Sequence, residues 1–549
     1  MPPSAFRRAL AFAARGLLYA LLGCAASGAC IGDAMAATTY FVRIDGGDAG
    51  QCTGRGDAAY PGRGRGVACA WKHPFLAMPP AGKPRIAGGD TLIIGPGDYM
   101  IGYGATGASD GGDRCDGDWR WECHFPPIPS GPSADAPTRI LGRGHDSGCT
   151  APPTFWGTER VDMVLNLEGS SNVEVGCLEI TDHSDCVEQH SNPAARCERD
   201  KAPHGPWASV GIAASASHDV FLHDLNVHGL AHTGIRAGGL RDWRLERVKI
   251  NANGWVGWDG DIGEHSANAG RIVMRSIEIA WNGCGERWQT GKVHACWAQE
   301  SGGYGDGLGT AATGGHWLIE RARIHHNTSD GIDLLYLDGG PDSSATLRQV
   351  YAASNAGNQI KTRGTTLIED SVIVGRCAYF VGRYDMVDGE HCRAEGNALS
   401  LALAAGRTVV VRHNTITGEG DCLILTEGGT ATSRVEIQNN ALLGQPDFLA
   451  GDGELSCGHY AHQSPARVVF SGNAFWNVKG GQCPAGSLCG RDPKLTDMSL
   501  PKFSATPLPG SPLIDRATPI SGADSRDFHL QRRPVGRAAD IGAVERQGP

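Results

Sequence analysis

Lysine is scarce in this chain: 9 Lys stand against 40 Arg among 549 residues. No apolar run long enough to span a bilayer follows the first 36 residues, which excludes a multi-pass membrane protein. Basic runs are absent too, and the formal net charge is −10, so neither nucleic acid nor an anionic membrane is a natural partner. No CxxC or Cys/His spacing suits zinc. No amphipathic helix of ordinary length interrupts the chain, and no Gly-X-Y period marks collagen. Hydrophobic residues make up 41% and charged residues 20%, which excludes the disordered class. The abundant residue is glycine: 79 positions, roughly twice the average share. Glycine spread this evenly implies a turn every few residues. A length of 549 residues exceeds one compact core, so it implies several domains or one elongated repetitive one.

The first 36 residues read as an export signal. Arg7, Arg8 and Arg15 form a basic start, 17–31 an apolar stretch, and Ala34-Met35-Ala36 a small-x-small cleavage site before Ala37. The alternative is a lipid anchor at Cys24, because Leu21-Leu22-Gly23-Cys24 resembles a lipobox. Cysteine arithmetic favours cleavage after Ala36. Of 18 Cys, 16 then remain, an even number suited to an oxidising compartment, whereas cleavage before Cys24 leaves Cys30 over. The protein is therefore expected to be secreted or periplasmic. Without that segment, which carries three Arg and one Asp, the net charge is −12. The remaining cysteines fall in close sequential pairs. Cys52/Cys69, Cys186/Cys197, Cys284/Cys296, Cys377/Cys392 and Cys483/Cys489 are candidates for disulfides pinning loops, with connectivity left open.

Short alternating apolar runs recur at 173–180, 220–227, 243–250, 272–279, 317–324, 347–350, 367–374, 409–412, 435–438 and 468–470. Period-two alternation marks half-buried strands. Strands this short cannot bury their inner faces alone; stacking coil on coil does so, which makes a solenoid. Asn recurs just after the strands, at 282, 327, 355, 414, 440 and 473. Asn tolerates a left-handed bend, and its amide can bond its equivalent one coil away. On this pattern the chain resembles the right-handed parallel β-helix proteins of the pectate-lyase type. Its opening (Tyr40 to Asp48, Gly88 to Tyr99) and its ending (Pro509 to Asp515, Asp540 to Glu545) look like the usual start and finish of such a helix. The resemblance implies an all-β, single-stranded right-handed parallel β-helix with disulfide-bounded loops. The expected organisation is a cap and first coils over 37–160, the helix with its active site over 161–480, and a last coil and tail over 481–549. Residues 100–160 and 181–207 read as loops over the N-terminal coils.

Three segments align one coil apart: Asp306-Gly-Leu-Gly309, Asp330-Gly-Ile-Asp333 and Asn358-Gln-Ile-Lys361, at offsets of 24 and 28 residues. Leu308, Ile332 and Ile360 then form an inward ladder. Asp306, Asp330 and Asn358 form one outward column, and Gly309, Asp333 and Lys361 another. With strands ~4.8 Å apart, three carboxylates and one amine converge on a patch about 10 Å across. Carboxylates that close repel one another, and hard oxygen ligands at this density suit Ca²⁺. The expectation is that no basic residue stands between the carboxylates. Lys361 beside a dication is expected to be pushed towards its neutral, basic form. Gly309 is expected to leave an open space for a sugar.

These residues also resemble the calcium-dependent pectate lyases of polysaccharide lyase family nine, over 305–361. Gly305-Asp306-Gly307-Leu308, Asn327-Thr-Ser-Asp330-Gly-Ile-Asp333-Leu334 and Gly357-Asn358-Gln359-Ile360-Lys361 follow the family's three segments in order. The resemblance implies Asp306, Asp330 and Asp333, with Asn358 beside them, as calcium ligands and Lys361 as the base. Ser329 stands where the family usually has another Asp, one ligand fewer. The implied reaction is β-elimination on a uronate polymer, an acidic polysaccharide, by a monomer. Arg363, Arg376 and Arg383 are candidate clamps for substrate carboxylates.

Three other readings compete. A β-helix glycoside hydrolase finds echoes in 327–333 and 360–362, but it needs an Asp-Asp pair and a Gly-His-Gly, and neither is present. A C5-epimerase would use the same proton abstraction. A non-enzymatic adhesin or carbohydrate-binding solenoid would keep the ladders and disulfides without needing Lys361. Among weaker features, His325-His326 is read as a turn pair before a metal site. Trp255 to Trp258 is either a sugar platform or packing. Glu264, His265, His294 and Glu300 are placed at one end of the groove.

Overall fold

The computed structural model describes residues 37–548, apart from 81, 112–114, 116, 298–304, 339, 341, 385–395, 446–456 and 480–481. The signal segment, Cys24, Cys392 and Glu300 therefore lie outside the described residues. Within them the chain is a parallel β-helix. Ten strands stack into one parallel sheet, the first sheet here. Twenty-three more form a sheet that bends into a second and a third face. The bend is visible in Arg241–Asn251, which runs through both faces: Trp243 pairs with Ile272 on one, and Ile250 with Ile279 on the other. Each coil visits the first sheet, then the second face, then the third.

Side-chain alternation drives this stacking. Along the first sheet Leu165, Ile212, Ile235, Trp258, Leu308, Ile332, Ile360, Leu399 and Ile424 are Cα partners in succession, and each is fully buried. Each such side chain is worth roughly 1.5–3 kcal/mol of apolar burial, and none could be buried by its own coil. The anticipated register therefore holds, with Leu308, Ile332 and Ile360 as one inward ladder.

The corner between the second and third faces takes two residues per coil. The first is left-handed: Arg321, Gln349, Asp370, His413 and Asn439 all have φ between 50° and 55°. The recurring Asn are not one set but two ladders at two corners. Asn253, Asn282, Asn327 and Asn355 stack where the third face turns into the first sheet, each Nδ2 donating to the next Oδ1 at 2.8–2.9 Å; Asn355 in turn donates to Gln359 Oε1 at 2.9 Å. Asn414, Asn440 and Asn473 stack at the two-residue corner. The left-handed residue is the one before the ladder Asn, for example Trp281, His326, Ser354 and Asn439. The Asn side chain instead turns inward, fully buried, and bonds the coils on either side. Asn327→Ala removes both of its ladder bonds and leaves the Asn282 backbone N–H, which donates to Asn327 Oδ1 at 3.1 Å, unpaired. At ~1–3 kcal/mol per orphaned buried group, a clear drop in melting temperature is expected; an unchanged melting curve would show the ladder to be incidental.

Seven disulfides lie among the described residues. Four are anticipated pairs, Cys52–Cys69, Cys186–Cys197, Cys284–Cys296 and Cys483–Cys489. Cys115–Cys123, Cys149–Cys177 and Cys422–Cys457 join them. Four insertions, near 183–207, 281–307, 376–398 and 445–456, all leave the helix between the third face and the first sheet. Lys361 lies on the outer face of the first sheet, beside the inward-pointing Ile360.

Candidate functional site

Asp306, Asp330 and Asn358 stand at that same corner, each just before its first-sheet strand. Their strands pair as expected: Gly309 with Asp333, and Asp333 with Lys361. Asp306 is 2% exposed, and its Oδ1 accepts the Asp330 backbone N–H at 2.9 Å. Asp330 repeats the device one coil on: its Oδ1 accepts from Asn358 N at 2.6 Å and from Asn358 Nδ2 at 3.1 Å. These carboxylates thus cap the next coil as the neighbouring Asn ladder does, a role the sequence reading missed. The signal was the same recurrence of a polar residue one coil apart.

Lys361 corrects one expectation. Its Nζ lies 3.2 Å from Asp330 Oδ2 and 3.2 Å from Asp333 Oδ2, so a basic group does stand between two of the three carboxylates. Burial pushes the amine's pKa down, but the Asp330 and Asp333 charges and hydrogen bonds outweigh it and hold the pKa above the ordinary lysine value. In this arrangement Lys361 is a cation, not a base. Asp333 is pushed up to about 6, by burial first and then by the Asp330 charge, against the pull of Lys361. Burial, with the charges of Asp330 and Asp333, drives Asp306 well above the usual carboxylate range; a Ser329 hydrogen bond pulls the other way. Gly309 leaves no open space either. A Cβ there would stand 3.0 Å from Asp306 Oδ2, so the room belongs to that carboxylate.

The donor set fits a hard divalent cation. Three carboxylates converge, and the amide oxygen Oδ1 of Asn358, buried beside Asp330, has no hydrogen-bond partner. Hard oxygens in this number are what Ca²⁺ takes. Among the described residues, no group of three or more His, Cys, Asp and Glu forms a ready cage. The Lys361 ammonium is what a cation at Asp330 and Asp333 would displace.

The three arginines separate. Arg363 is two residues beyond Lys361 on the same outward row, with Nε 2.9 Å from Asp338 Oδ2. Arg376 and Arg383 sit on the insertion, their guanidinium carbons 5.2 and 4.4 Å from the Tyr379 ring centroid. Tyr379 belongs to an aromatic cluster with Trp281, His326, Phe380 and Tyr384. His326 stacks on Trp281 at 4.3 Å; burial, then the cations around it, pushes its pKa down to about 3. His325 Nε2 meets Glu278 at 3.2 Å and its Nδ1 meets His326 Nδ1 at 2.8 Å, so the pair is engaged with its own neighbours. Trp258 is a rung of the inward ladder. Trp255 stacks on His232 at 4.5 Å. Glu264 and His265 are exposed, and His294 is half-buried on the Lys292–His294 strand.

The outward column through Asp333 and Lys361 runs further than the motif. Arg236 pairs with Asp259, and Asp259 with Gly309. A separate cavity of about 320 Å³ lies on the third face, under the hairpin that carries Glu286 and Trp288. Its central group, His228, is bonded to both Glu179 and Glu286 and is raised to about 9: burial lowers it, and the two carboxylates overcome that. Those groups satisfy one another, so the chemistry is sought at Lys361.

No protein-family model matches this chain, and no curated protein matches it. Among solved structures, it is similar to pectate lyase Pel9A at 13% identity and a TM-score of 0.44, over 93% of this chain and 96% of that one. It is similar to XylC in complex with xylose at 8% identity and a TM-score of 0.42, over 92% and 98%. The A-module of mannuronan C-5 epimerase AlgE4 from Azotobacter vinelandii follows at 11% identity and a TM-score of 0.38, over 73% and 91%. At such values the parallel β-helix rests on the strand pairings themselves and not on these likenesses.

Proposed function

We propose that this protein is an exported polysaccharide lyase that cleaves a uronate-containing polymer by β-elimination, with Lys361 as base and Ca²⁺ held by Asp306, Asp330, Asp333 and Asn358. The observation that carries this reading is the position of Lys361. A half-buried amine stands on an outer sheet face, 3.2 Å from two carboxylates, beside an unpartnered amide oxygen. Bound Ca²⁺ would neutralise the substrate carboxylate and so acidify the C5 proton.

The chain's own residues do the rest. Lys361 becomes basic only when Asp330 and Asp333 are engaged elsewhere. Its side chain is 19% exposed, and without those partners burial alone acts on the amine, pushing its pKa down. Nζ then takes the C5 proton, the C4–O bond breaks with its electron pair, and the departing oxygen takes a proton from water. The product carries a 4,5-unsaturated uronate. Arg363, on the same row, orients the carboxylate by exchanging Asp338 for it. Arg376 and Arg383 would reach substrate only from the insertion. The signal before Ala37 would place this activity outside the cytoplasm, and among the described residues no helix is long and apolar enough to cross a membrane.

The test is a screen of pectate, alginate and glycosaminoglycans, with calcium and with chelator, for ultraviolet absorbance of the unsaturated product. Calcium-dependent absorbance on one uronate polymer is the expected result. A changed C5 configuration without cleavage would make the protein an epimerase. Binding without either change would make it a carbohydrate-binding solenoid.

A further inference from the structure

Arginines on the outer faces of this solenoid are mostly paired. Arg139 meets Glu174 at 2.8 Å, Arg275 meets Glu320 at 2.9 Å, and Arg348 and Arg412 share Glu369 at 2.7 Å each. Arg236 differs. It is exposed on Thr233–Gly238 of the first sheet, and among the described residues its guanidinium makes no ion pair or hydrogen bond. The charge it acts on is Asp259, whose carboxyl is raised by burial and pulled back in part by Arg236.

Its place in the register gives this unpaired cation a meaning. Arg236, Asp259, Gly309, Asp333 and Lys361 are successive Cα partners on one outward column. Four strand spacings of ~4.8 Å put the guanidinium about 19 Å from the amine along the helix axis. An extended 1,4-linked polyuronate advances by close to one strand spacing per sugar, so the two groups stand about four sugars apart. Gly309 adds no side chain of its own to the column, and the Asp306 carboxylate occupies that place. Asp259 accepts the Asp261 N–H on Oδ1 at 2.9 Å, and among the described residues its other oxygen has no hydrogen-bond partner.

We propose that Arg236 is a distal carboxylate anchor: it binds an acidic sugar about four units from the one that Lys361 deprotonates, and makes the outer face of the first sheet a cleft for a long chain. This rests on the lyase reading above. Guanidinium suits the task because its fork matches a carboxylate bidentately and never loses its charge.

The test is Arg236→Gln, with Arg321→Gln as a control that loses the same charge at the corner between the second and third faces. The expected effect depends on substrate length. On long polyuronate KM rises about tenfold at unchanged kcat, the loss of one charge-assisted pair. The effect shrinks as the oligomer becomes too short to span both groups, and Arg321→Gln matches wild type throughout. Equal losses on trisaccharide and polymer, or none on either, overturn the anchor. If the wild type eliminates no polymer, the lyase reading falls by itself, and the anchor is read by electrophoresis through gels containing polyuronate. There Arg236→Gln must be retarded less than wild type and Arg321→Gln equally. The same retardation for all three overturns the proposal.

Discussion

Lys361→Arg is expected to abolish elimination while leaving the fold intact. Arginine keeps the positive charge that Asp330 and Asp333 hold at 3.2 Å, so the local ion pairs survive. It cannot deprotonate at a working pH, so no base remains to take the C5 proton. Loss of a general base typically costs ~10²–10⁴ in rate. Lys361→Ala should be as inactive and should melt lower, because two buried carboxylates lose their cation. A pH dependence follows with a definite sign. In the metal-free protein the Lys361 pKa is raised, so the amine keeps its charge below the ordinary lysine pKa of ~10.4 and loses it only above that. Turnover in chelator should therefore be negligible through neutral pH. Near wild-type activity in Lys361→Arg would reduce the residue to a plain cation for the substrate, and the hydrolase and binding readings would regain weight.

Asp330 is expected to be the most sensitive carboxylate. It caps Asn358 through both N and Nδ2 and pairs with Lys361, with its own side chain only 7% exposed. Asp330→Ala orphans those groups. Breaking one partner of a buried pair costs ~3–5 kcal/mol, so a markedly lower melting temperature and no turnover are expected. Asp330→Asn separates the two roles. An amide oxygen can still accept from Asn358 N, so stability should largely return, while the charge needed for a cation does not. Calcium should then raise the melting temperature of the wild type, by ~2.7 kcal/mol of stability at a hundred times Kd, and leave Asp330→Asn unmoved. An equal calcium response in both would place the cation elsewhere or nowhere.

The faces of the helix differed in how plainly they could be read. The second and third were visible because they join across a corner of only two residues, so their alternation reads as one long run, as in 243–250. First-sheet strands stand alone between turns and insertions. Thr233–Gly238 reads Thr-Gly-Ile-Arg-Ala-Gly, and its Gly234 is fixed by crowding: a Cβ would come within 2.7 Å of Asn253 Nδ2. Only where Leu308, Ile332 and Ile360 kept step did the first sheet show itself, and the candidate site came with it. The column positions of Asp333 and Lys361 were legible because register alone sets them. That Lys361 would pair with its neighbours was not, since it depends on which way a flexible side chain reaches across the column. Nor was the capping by Asp306 and Asp330, which depends on the shape of the corner.

The concentration of long insertions at one corner has a consequence for wear. A protease meets exposed loops first. A cut between Cys186 and Cys197, or between Cys284 and Cys296, severs the chain outside the stacked coils and leaves both ends tied by a disulfide. The hydrogen-bonded ladders do not pass through those segments. A nicked molecule would thus remain one body with its rungs in register, and its walls could be trimmed, lengthened or exchanged over evolutionary time without renegotiating the helix beneath.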